Sequence, residues 1–505
     1  MSISKVNISV FDGIFYPFCM MVTLTIICSF YACEKEETKR ILWQEYFDDL
    51  GTTSSPRCID LNADGVMDVV MGAGKNEFDS SEFAVIALDG NNGSLLWSVP
   101  GTNQMVGSPI FHSINEDDIP DVVIGGRGAQ LLAIDGNNGK KIWEYKVQTH
   151  EFNALGFMRF NFYSPQIIPD QNNDGLDDLL VSNGGNFLAH AKDGSDRYPG
   201  VLAIIDASNG SVISVDSMPD GRETYMSPIV MPPGPSGERQ VIFGSGGETF
   251  GGSLYLTNLT DLRNESLAAS KELLTFEDHG FIAPPTIAEI TGDDIADMVV
   301  NWHGGSIIAL DGSTHRVLWR VDIDGGETYV SPVPGEANSD DVPDFFTSFS
   351  LGKWPKYTHT VHLIIDGKDG SIMYQDTLGC ASFSSAISYD FDQDGMSEFV
   401  YSLNEHNCEG IYLGDTEYRL IKLDPNDFTL EDWYSPVRGK NLFSTPWLGD
   451  LDNDGNLDLV TCIQANFNDE FSYYGFQVSR IRIQADSRQK EGWTAYLGNE
   501  GTGIY

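Results

Sequence analysis

The chain has 505 residues and carries 74 acidic against 30 basic side chains, which gives a formal net charge of −44. This charge excludes nucleic acid as a partner and disfavours electrostatic docking on anionic lipid, because phosphates would be repelled. Two interpretations of the carboxylates remain, a solvated acidic surface and a set of metal ligands.

The N-terminal segment is predicted to be a signal peptide and not part of the fold. Residues 13–32 are almost wholly apolar. The run ends in Ala32-Cys33, which resembles a bacterial lipoprotein signal, in which the cysteine becomes the lipidated first residue. We therefore predict a signal peptide over residues 1–32 and lipidation at Cys33. A single membrane span is the alternative interpretation of this segment.

Residues 33–50 are predicted to form a tether that leads into the folded domain. The stretch at 34–37 (EKEE) resembles the short signal that sends some lipoproteins to the outer face of the outer membrane. The alternative is a charged tether that carries no sorting signal. Residues 41–47 look like an outer strand ending in aromatics, which we expect to pair with the last repeat and help to close a ring. The expected localisation is the bacterial outer membrane, facing the cell exterior.

Four stretches of the chain spell nearly the same acidic nonapeptide. Asp or Asn stands at the first, third and fifth positions, Gly at the sixth, and a carboxylate at the ninth. The stretches cover residues 60–68, 170–178, 390–398 and 450–458. Alternating Asp and Asn supply the oxygen ligands that calcium requires, and the Gly permits a sharp turn. Because a polar turn explains one match but not four, we interpret these stretches as calcium loops.

Weaker copies of the motif extend the repeat along the chain. They lie at residues 113–121, 289–297 and 336–344; each replaces the turn Gly by Asp and lacks the short first Asp. Residues 227–244 have the entry and exit of a further unit, with Pro and Gly in place of the acidic loop. Most of the resulting spacings are about 47 to 60 residues, as in four-stranded propeller blades.

The fold class that follows is an all-β propeller of eight four-stranded blades, with seven blades as the alternative. Apolar runs of strand length alternate with Gly, Asn and Asp turns, and helical periodicity is almost absent. A closed ring of such units leaves no exposed sheet edge. We therefore assign residues 51–505 to one propeller domain and expect a monomer. An open β-solenoid suits the repeat length less well.

A second signature, Ala-x-Asp-x-x-x-Gly-x-x-x-Trp, marks the outer hairpin of the repeats. It occurs at residues 87–97 and 133–143, and a close variant occurs at 309–319. We expect the Trp rings to pack across blade boundaries, where they bury apolar area and the indole N–H finds a backbone partner.

The acidic motif resembles the FG-GAP repeat of integrin α-subunit propellers and of bacterial surface proteins. The Trp hairpin resembles the tryptophan-docking motif of PQQ-dependent dehydrogenase propellers and related non-catalytic ones. Together the two motifs cover nearly all of residues 51–505. Both resemblances imply a β-propeller and say little about function.

The FG-GAP resemblance implies a ligand set for each acidic loop, made of the side chains at positions one, three, five and nine and the carbonyl at position seven. The expected calcium ligands are Asp60, Asn62, Asp64 and Asp68; Asp170, Asn172, Asp174 and Asp178; Asp390, Asp392, Asp394 and Glu398; and Asp450, Asp452, Asp454 and Asp458. The weaker loops offer Asn115, Asp117 and Asp121; Glu289, Asp293 and Asp297; and Glu336, Asn338, Asp340 and Asp344, whose occupancy is an open question.

The sequence leaves a binding module and an enzyme open as classes of function. No PQQ is expected, because the quinone enzymes hold their cofactor with a vicinal disulfide and this sequence has no adjacent Cys pair. A polysaccharide lyase or hydrolase is the alternative, since some lyases are eight-bladed calcium-bound propellers. That chemistry needs a base or a carboxylate pair near the sugar. The sequence offers His279, His303, His359 and His362, with no catalytic residue singled out.

The central face of the ring is the expected binding surface. Segments 220–225 and 324–329 match closely and precede the opening strands of two blades. Tyr and Phe rings beside carboxylates suit sugars, by stacking and hydrogen bonding. The candidate ligand-binding residues are Tyr163, Glu223, Tyr225, Phe281, Glu327 and Tyr329. A protein ligand on this face and rings that only fill the channel are the alternatives, and the preferred function is non-catalytic binding or adhesion to glycan or protein.

Export also permits disulfides in the mature chain. Cys380 and Cys408 flank one repeat motif and are the better candidates for a pair. Buried free thiols are the alternative, because connectivity cannot be read from a sequence.

Overall fold

The structure, a computed structural model, describes residues 39–115, 117–148, 151–186, 189, 196–234, 236–353, 356–405, 408, 416–464, 474–487 and 492–505. The predicted signal peptide, the lipidation site Cys33 and the stretch at 34–37 lie outside the described residues. None of the helices in the described part of the chain has the length and apolar character that a membrane span requires.

Eight antiparallel sheets form an eight-bladed β-propeller, which confirms the predicted fold class. In blades 1 to 6 the strands follow one another in chain order from the axis outward. Blade 1 contains β2 (Arg57–Ile59), β3 (Asp68–Gly72), β4 (Ser81–Leu88) and β5 (Leu95–Gly101). Blade 2 contains β6 (Ile110–His112), β7 (Asp121–Gly125), β8 (Leu131–Ile134) and β9 (Lys141–Glu144). Blade 3 contains β10 (Asn161–Phe162), β11 (Gln166–Ile168), β12 (Asp178–Gly184), β13 (Val201–Ile205) and β14 (Val212–Ser217).

The following blades repeat this arrangement. Blade 4 contains β15 (Ile229–Val230), β16 (Gln240–Gly244), β17 (Gly252–Asn258) and β18 (Lys271–Phe276). Blade 5 contains β19 (Thr286–Ala288), β20 (Asp297–Trp302), β21 (Ser306–Leu310) and β22 (Val317–Asp322). Blade 6 contains β23 (Gly326–Glu327), β24 (Val333–Gly335), β25 (Asp344–Lys353), β26 (Lys356–Ile365) and β27 (Ile372–Leu378).

The last two blades include both ends of the described chain. Blade 7 contains β28 (Ile387–Tyr389), β29 (Glu398–Glu405), β30 (Glu417–Leu423), β31 (Leu430–Arg438) and β35 (Gly492–Trp493). Blade 8 contains β32 (Trp447–Gly449), β33 (Asn456–Gln464), β34 (Gly475–Asp486) and β1 (Lys39–Asp48). Two short helices, α1 (Ala154–Phe157) and α2 (Leu259–Arg263), lie in connections.

The second strand of each blade explains the apolar runs that follow the acidic loops. All residues of β3 and β7 are buried, because both faces of the sheet pack against neighbouring blades. In the sequence, such strands are continuous apolar segments and do not alternate between apolar and polar residues. The outermost strand β22 is instead mostly exposed, and its Trp319 is the residue that is buried. The hydrophobic core is therefore distributed between successive blades.

Trp side chains join neighbouring blades at the outer hairpins, as the second signature predicts. The indole N–H of Trp97 in blade 1 donates to the carbonyl of Gly136 in blade 2 at 2.7 Å. The same contact recurs from Trp143 to Ala207 at 2.7 Å and from Trp319 to Gly367 at 2.6 Å. Each ring thus buries its apolar surface and satisfies its only donor across a blade boundary.

The recurring Gly in these hairpins has a steric cause. Gly139 has a φ of +73°, and a Cβ placed there would lie 2.8 Å from the Trp97 side chain. The equivalent position in blade 5 is His315, also with a positive φ of 60°. The preceding outer strand β18 has no Trp, so a side chain fits there and His315 contacts Lys271 instead.

The N-terminal strand closes the ring. β1 pairs with β34 and becomes the outermost strand of blade 8, whose inner strands come from residues 447–486. Trp43 of this strand donates to the carbonyl of Gly90 in blade 1 at 2.8 Å. The seam between blades 8 and 1 is therefore joined by the same kind of contact that Trp97, Trp143 and Trp319 make.

The C-terminal segment lies across the inner strands, an arrangement that the sequence analysis did not predict. Residues 492–505 add β35 to blade 7, next to β28. Arg57 of blade 1 donates to the carbonyl of Gly498 at 2.9 Å. Gln166 of blade 3 donates to the carbonyl of Gly501, also at 2.9 Å. The segment thus connects blades that are not neighbours in the ring.

Cys380 and Cys408 form a disulfide, the first of the two possibilities that the sequence left open for this pair. Cys58 and Cys462 are free thiols.

Candidate functional site

The first Asp of each full acidic loop fixes the turn. Asp60 Oδ1 accepts the backbone N–H of Asn62 at 3.3 Å, and its Oδ2 accepts that of Gly65 at 3.0 Å. Gly65 has a φ of +87°, a region that favours glycine. The bond from the sixth-position Gly to the first Asp recurs in the other three full loops. The loops therefore share one backbone conformation.

Two of the full loops bring three carboxylates close together. Ligand atoms of Asp390, Asp392 and Glu398 lie within 4.8 Å of one another, as do those of Asp450, Asp452 and Asp454. In the other two full loops an Asn replaces the third-position Asp. The arrangement fits the oxygen ligands that a calcium ion requires, and calcium remains a prediction.

The ninth carboxylate has a structural role that sequence reasoning missed. Asp68 is fully buried and accepts the backbone N–H groups of Leu61 and Gly90, each at 2.9 Å. It thereby ties the acidic loop to the outer hairpin of the same blade. Asp121, Asp297 and Asp344 make the equivalent pair of bonds in the weaker loops. This role explains why position nine is acidic in every copy.

Burial raises the pKa of these ninth-position carboxyls. The pKa of Asp68 rises to about 6, although the N–H groups of Gly90 and Leu61 oppose the shift. The pKa of Asp178 rises to about 6 and that of Asp344 to about 7, again mainly through burial. A bound cation beside them would favour the ionised form.

The weaker loops keep the turn without the glycine. Asp294 and Asp341 occupy the sixth position with a φ of 64° each, which Asp tolerates better than most residues. Glu289 takes the place of the first Asp, and its Oε1 accepts the N–H of Thr291 at 3.0 Å. In the loop at 336–344, Lys368 places its ammonium 3.3 Å from Asp340. A cationic side chain thus contacts that loop.

Two arginines from another strand of the same blade contact the full loop at 450–458. Arg480 Nη2 lies 2.7 Å from Asp452 and 2.6 Å from Asp458. Arg482 lies 2.5 Å from Asp452 and 2.6 Å from Asp454. Burial opposes ionisation of Asp452, but the two guanidinium groups outweigh it and lower its pKa.

A cavity of about 1120 Å³ lies on the propeller axis. Small side chains that open the inner strands, such as Ser108 and Ser164, form part of its wall. Tyr496 of the C-terminal segment forms another part. The Tyr and Phe rings that line the cavity besides Tyr496 are Tyr163, Tyr225, Phe250, Tyr329, Phe383 and Phe443.

One side of the cavity carries a buried ion pair. Glu223 pairs with Arg197, and the hydroxyl of Tyr225 lies 3.4 Å from the second oxygen of Glu223. Burial raises the pKa of Glu223 even though Arg197 acts in the opposite direction. The Arg197 guanidinium lies 5.0 Å from the centre of the Phe250 ring. This side therefore presents a fixed cation and aromatic faces.

The other side places a carboxylate between two imidazoles. Glu327 Oε1 lies 3.6 Å from His279 Nε2, and Oε2 lies 3.8 Å from His303 Nε2. Tyr357 donates its hydroxyl proton to Glu327 Oε2 at 2.6 Å. Burial lowers the pKa of His303 to about 4. His303 is therefore neutral at physiological pH.

Glu248 lies between these two sides. Burial raises the pKa of Glu248 to about 7, the hydrogen bond to Tyr329 opposes the rise, and the charges of Glu223 and Glu327 add to it. A carboxyl of this kind is partly protonated at neutral pH and can donate a proton.

The structure brings most of the predicted ligand-binding residues together. Tyr163, Tyr225, Glu327 and Tyr329 line the cavity. Glu223 is buried beside it, behind Arg197. The match between segments 220–225 and 324–329 thus corresponds to equivalent places on two sides of one site.

Phe281 does not line the cavity. Its side chain is fully buried in the core between blades 4 and 5, next to Phe276. Ile282, the next residue, faces the cavity instead. Successive side chains of an extended segment point in opposite directions, so Ile282 and not the predicted Phe281 reaches the cavity wall.

The four candidate histidines separate into two groups. His279 and His303 belong to the axial cluster described above. His359 is exposed on blade 6. His362 is buried between Ser348, at 2.8 Å, and the carbonyl of Leu378, at 3.3 Å, as a structural residue. Arg197 and Glu248 were missed because neither belongs to a repeated motif.

Comparisons with known proteins agree with the propeller architecture. A family model described as "Outer membrane protein assembly factor BamB" matches residues 30–231, less than half of the chain. The quinohemoprotein alcohol dehydrogenase ADHIIG from Pseudomonas putida HK5 is 12% identical; the match covers 90% of this chain and 77% of that one, with a TM-score of 0.52. The enzyme of the same kind from Comamonas testosteroni is 12% identical, with coverages of 90% and 78% and a TM-score of 0.51.

BamB from Moraxella catarrhalis is also similar, at 11% identity and a TM-score of 0.46, with 88% of this chain and 99% of that chain covered. No curated protein sequence matches this chain. The likeness to the two alcohol dehydrogenases shows the propeller fold alone. The resemblance of the acidic loops to FG-GAP repeats remains a prediction.

Proposed function

We propose that this protein is an exported, lipid-anchored propeller that binds a carbohydrate in its axial cavity and uses calcium in its acidic loops for stability. The cavity is the observation that carries the proposal. Its volume of about 1120 Å³ is slightly above the usual range of about 300–1,000 Å³ for ligand sites, and its wall combines aromatic rings with charged and hydroxyl side chains. A protein that binds the same face is a further possible ligand.

The chemistry of the wall favours a sugar. Tyr163 and Tyr225 form one aromatic pair, with ring centres 6.2 Å apart, and Tyr329 contacts Phe383 on the opposite side. Such faces stack on the C–H surfaces of sugar rings, while carboxylates and guanidinium groups bind their hydroxyls. The cavity therefore has the two kinds of contact that carbohydrate recognition requires.

Calorimetric titration with a panel of neutral and acidic oligosaccharides tests this proposal. We expect one or more of them to bind, and the Tyr225→Ala variant to bind about 10-fold more weakly because it loses a stacking face. Tyr46→Ala, in the exposed part of β1, is the matched control and should bind normally. If no glycan binds, or if Tyr225→Ala binds as the parent does, the cavity is not a carbohydrate site.

A polysaccharide-cleaving enzyme is the second candidate, and the Glu248 carboxyl favours it. A partly buried acid with a pKa of about 7 is suited to protonating a leaving-group oxygen. The same glycan panel distinguishes the two functions, since new reducing or unsaturated ends indicate cleavage and retention without new ends indicates binding. Glu248→Gln should abolish cleavage and leave binding intact if this candidate is correct.

The proposed anchor rests on Ala32-Cys33 and on the match to the BamB family over residues 30–231. Metabolic labelling with a radioactive fatty acid tests it directly. The parent protein should be labelled and found in the outer-membrane fraction, whereas Cys33→Ala should be unlabelled. Digestion of intact cells with protease then tests whether the propeller faces the exterior.

A further inference from the structure

The cluster around Glu327 contains two imidazoles, which prefer transition metals to calcium, and one carboxylate. His279 lies in the connection between blades 4 and 5, His303 lies between two strands of blade 5, and Glu327 ends β23 of blade 6. His279 and Glu327 line the axial cavity. The two imidazole rings have their centres 5.5 Å apart. Two histidines and one carboxylate with an open side form a common ligand set for zinc and related divalent ions.

The contacts of Glu327 with the two histidines are too long for hydrogen bonds and are near the spacing of two ligands around one ion. The contacts of Glu327 with His279 and His303, at 3.6 and 3.8 Å, exceed hydrogen-bond length. Two ligands bound at about 2.1 Å in tetrahedral geometry lie about 3.4 Å apart. Among the described residues, the two nitrogens and one oxygen of Glu327 do not lie together within 4.8 Å. A small rotation of the His279 ring, at the cavity wall, is therefore part of binding.

The groups behind the cluster are oriented as metal sites require. His303 Nδ1 contacts the carbonyl of Thr328 at 2.8 Å, so it carries the proton and leaves the lone pair on Nε2. That Nε2 atom is buried and has no hydrogen-bond partner in the described part of the chain. Tyr357 donates to Glu327, whereas His279 Nδ1 lies 3.4 Å from Asp278 without forming a hydrogen bond. Partners of this kind fix the tautomer of a ligating His and the orientation of a ligating carboxylate.

We propose that His279, His303 and Glu327 bind one zinc-class divalent ion at the wall of the axial cavity, separate from the oxygen-only acidic loops. The ion leaves at least one coordination position open to the cavity. A sugar hydroxyl or carboxylate, or a water molecule, can occupy that position. The inference does not depend on the carbohydrate proposal, because an ion binds this cluster whether or not a glycan enters.

The test uses the full-length protein in detergent, stripped with a chelator and returned to excess calcium so that the acidic loops are occupied. Equilibrium dialysis against zinc should give one tightly held ion per chain. X-ray absorption at the zinc edge should show two imidazole ligands. If no zinc is retained, or if its ligands are oxygens alone, the proposal is wrong.

Variants locate the ion. His279→Ala and His303→Ala should each weaken zinc binding by more than about 100-fold, and Tyr357→Phe should weaken it by about 10-fold through the lost outer partner. His359→Ala removes an exposed histidine of blade 6 and should bind zinc as the parent does. His279 lies at the cavity wall, so its variant tests the proposal even if His303→Ala fails to fold. Undiminished binding by a folded His279→Ala would overturn the assignment.

Discussion

The acidic loops at 60–68 and 450–458 share one sequence pattern and are in contact. They differ in the charged groups that lie next to their carboxylates. Asn453 donates to the carbonyl of Gly65 at 3.0 Å, across the seam that closes the ring. In blade 8 the guanidinium groups of Arg480 and Arg482 contact the carboxylates of the loop. Around Asp68 in blade 1, the neighbouring charges that act on the carboxyl are Asp64 and Asp89.

This difference shows that one motif can be neutralised in two ways. Repulsion among carboxylates must be offset by a cation, which is either a bound ion or a side chain of the protein. We therefore expect the loops at 60–68 and 170–178 to depend on calcium, and the loop at 450–458 to be partly independent of it. Glu398 of the loop at 390–398 is intermediate, because the ammonium of Lys422 lies 3.2 Å away.

The largest expected effect comes from removing Arg480. Its side chain is 1% exposed and also donates to the carbonyl of Gly90 in blade 1 at 2.8 Å. Arg480→Met leaves Asp458 buried without its partner and should lower the free energy of unfolding by about 3–5 kcal/mol. Urea denaturation with and without calcium measures the loss. Calcium should restore more stability to this variant than to the parent, and an equal calcium response in both would contradict the comparison.

Asp64→Ala should show the complementary behaviour in blade 1. In calcium at about 100 times its dissociation constant, loss of that site lowers the free energy of unfolding by about 2.7 kcal/mol. In EGTA the difference should be below about 0.5 kcal/mol, because the side chain is exposed. Asp454→Ala in blade 8 is the matched control, and its calcium-dependent loss should be smaller. A larger loss for Asp454→Ala would reverse the assignment of the two loops.

The pH dependence of the calcium-free protein should separate the loops further. The raised pKa values of Asp68 and Asp178, about 6, exceed the value of about 3.9 in an unfolded chain. The folded state then binds the protons more tightly, so stability in EGTA should rise as pH falls from about 6 towards 4, by about 2 kcal/mol per loop. Asp452, whose pKa is lowered, acts in the opposite sense and loses its stabilisation on acidification. Chemical denaturation between pH 7 and 4 measures the rise, because the loss at Asp452 sets in only below about pH 4. A fall in stability between about pH 6 and 4 would contradict the expectation.

The smallest expected effect concerns the contact between the two loops. Asn453→Gly keeps the left-handed backbone of that position, where φ is 55°, and removes the hydrogen bond to Gly65. We expect a loss of about 0.5 kcal/mol in the free energy of unfolding. Asn173→Gly, at the same position of the loop in blade 3, is the control, and the difference between the two variants measures the contribution of the seam.

The architecture could be predicted from sequence because each repeat contains the residues that determine its own turns and its packing on the next blade. The Gly of the sixth loop position and the Trp of the outer hairpin each have a steric reason that is visible along the chain. The closing pairing of β1 with β34 follows from the same pattern, because residues 41–47 end in aromatics like other outer strands.

The axial site could be predicted only in outline. Segments 220–225 and 324–329 indicated the correct region, because they repeat. Arg197, Glu248 and Tyr496 belong to connections of unrelated sequence, and only the closed ring brings them together. The arginines at 480 and 482 were missed for the same reason, since their position on β34 becomes meaningful once β33 pairs beside it and places Asp458 within reach.

The central claim is that calcium in the acidic loops stabilises the propeller, and thermal unfolding of the purified protein before and after EGTA tests it most directly. The loops at 60–68 and 170–178 predict that the protein retains calcium through dialysis and that its midpoint temperature falls when the ion is removed and recovers when it is returned. A protein that holds no calcium and unfolds at the same temperature in EGTA would contradict the account.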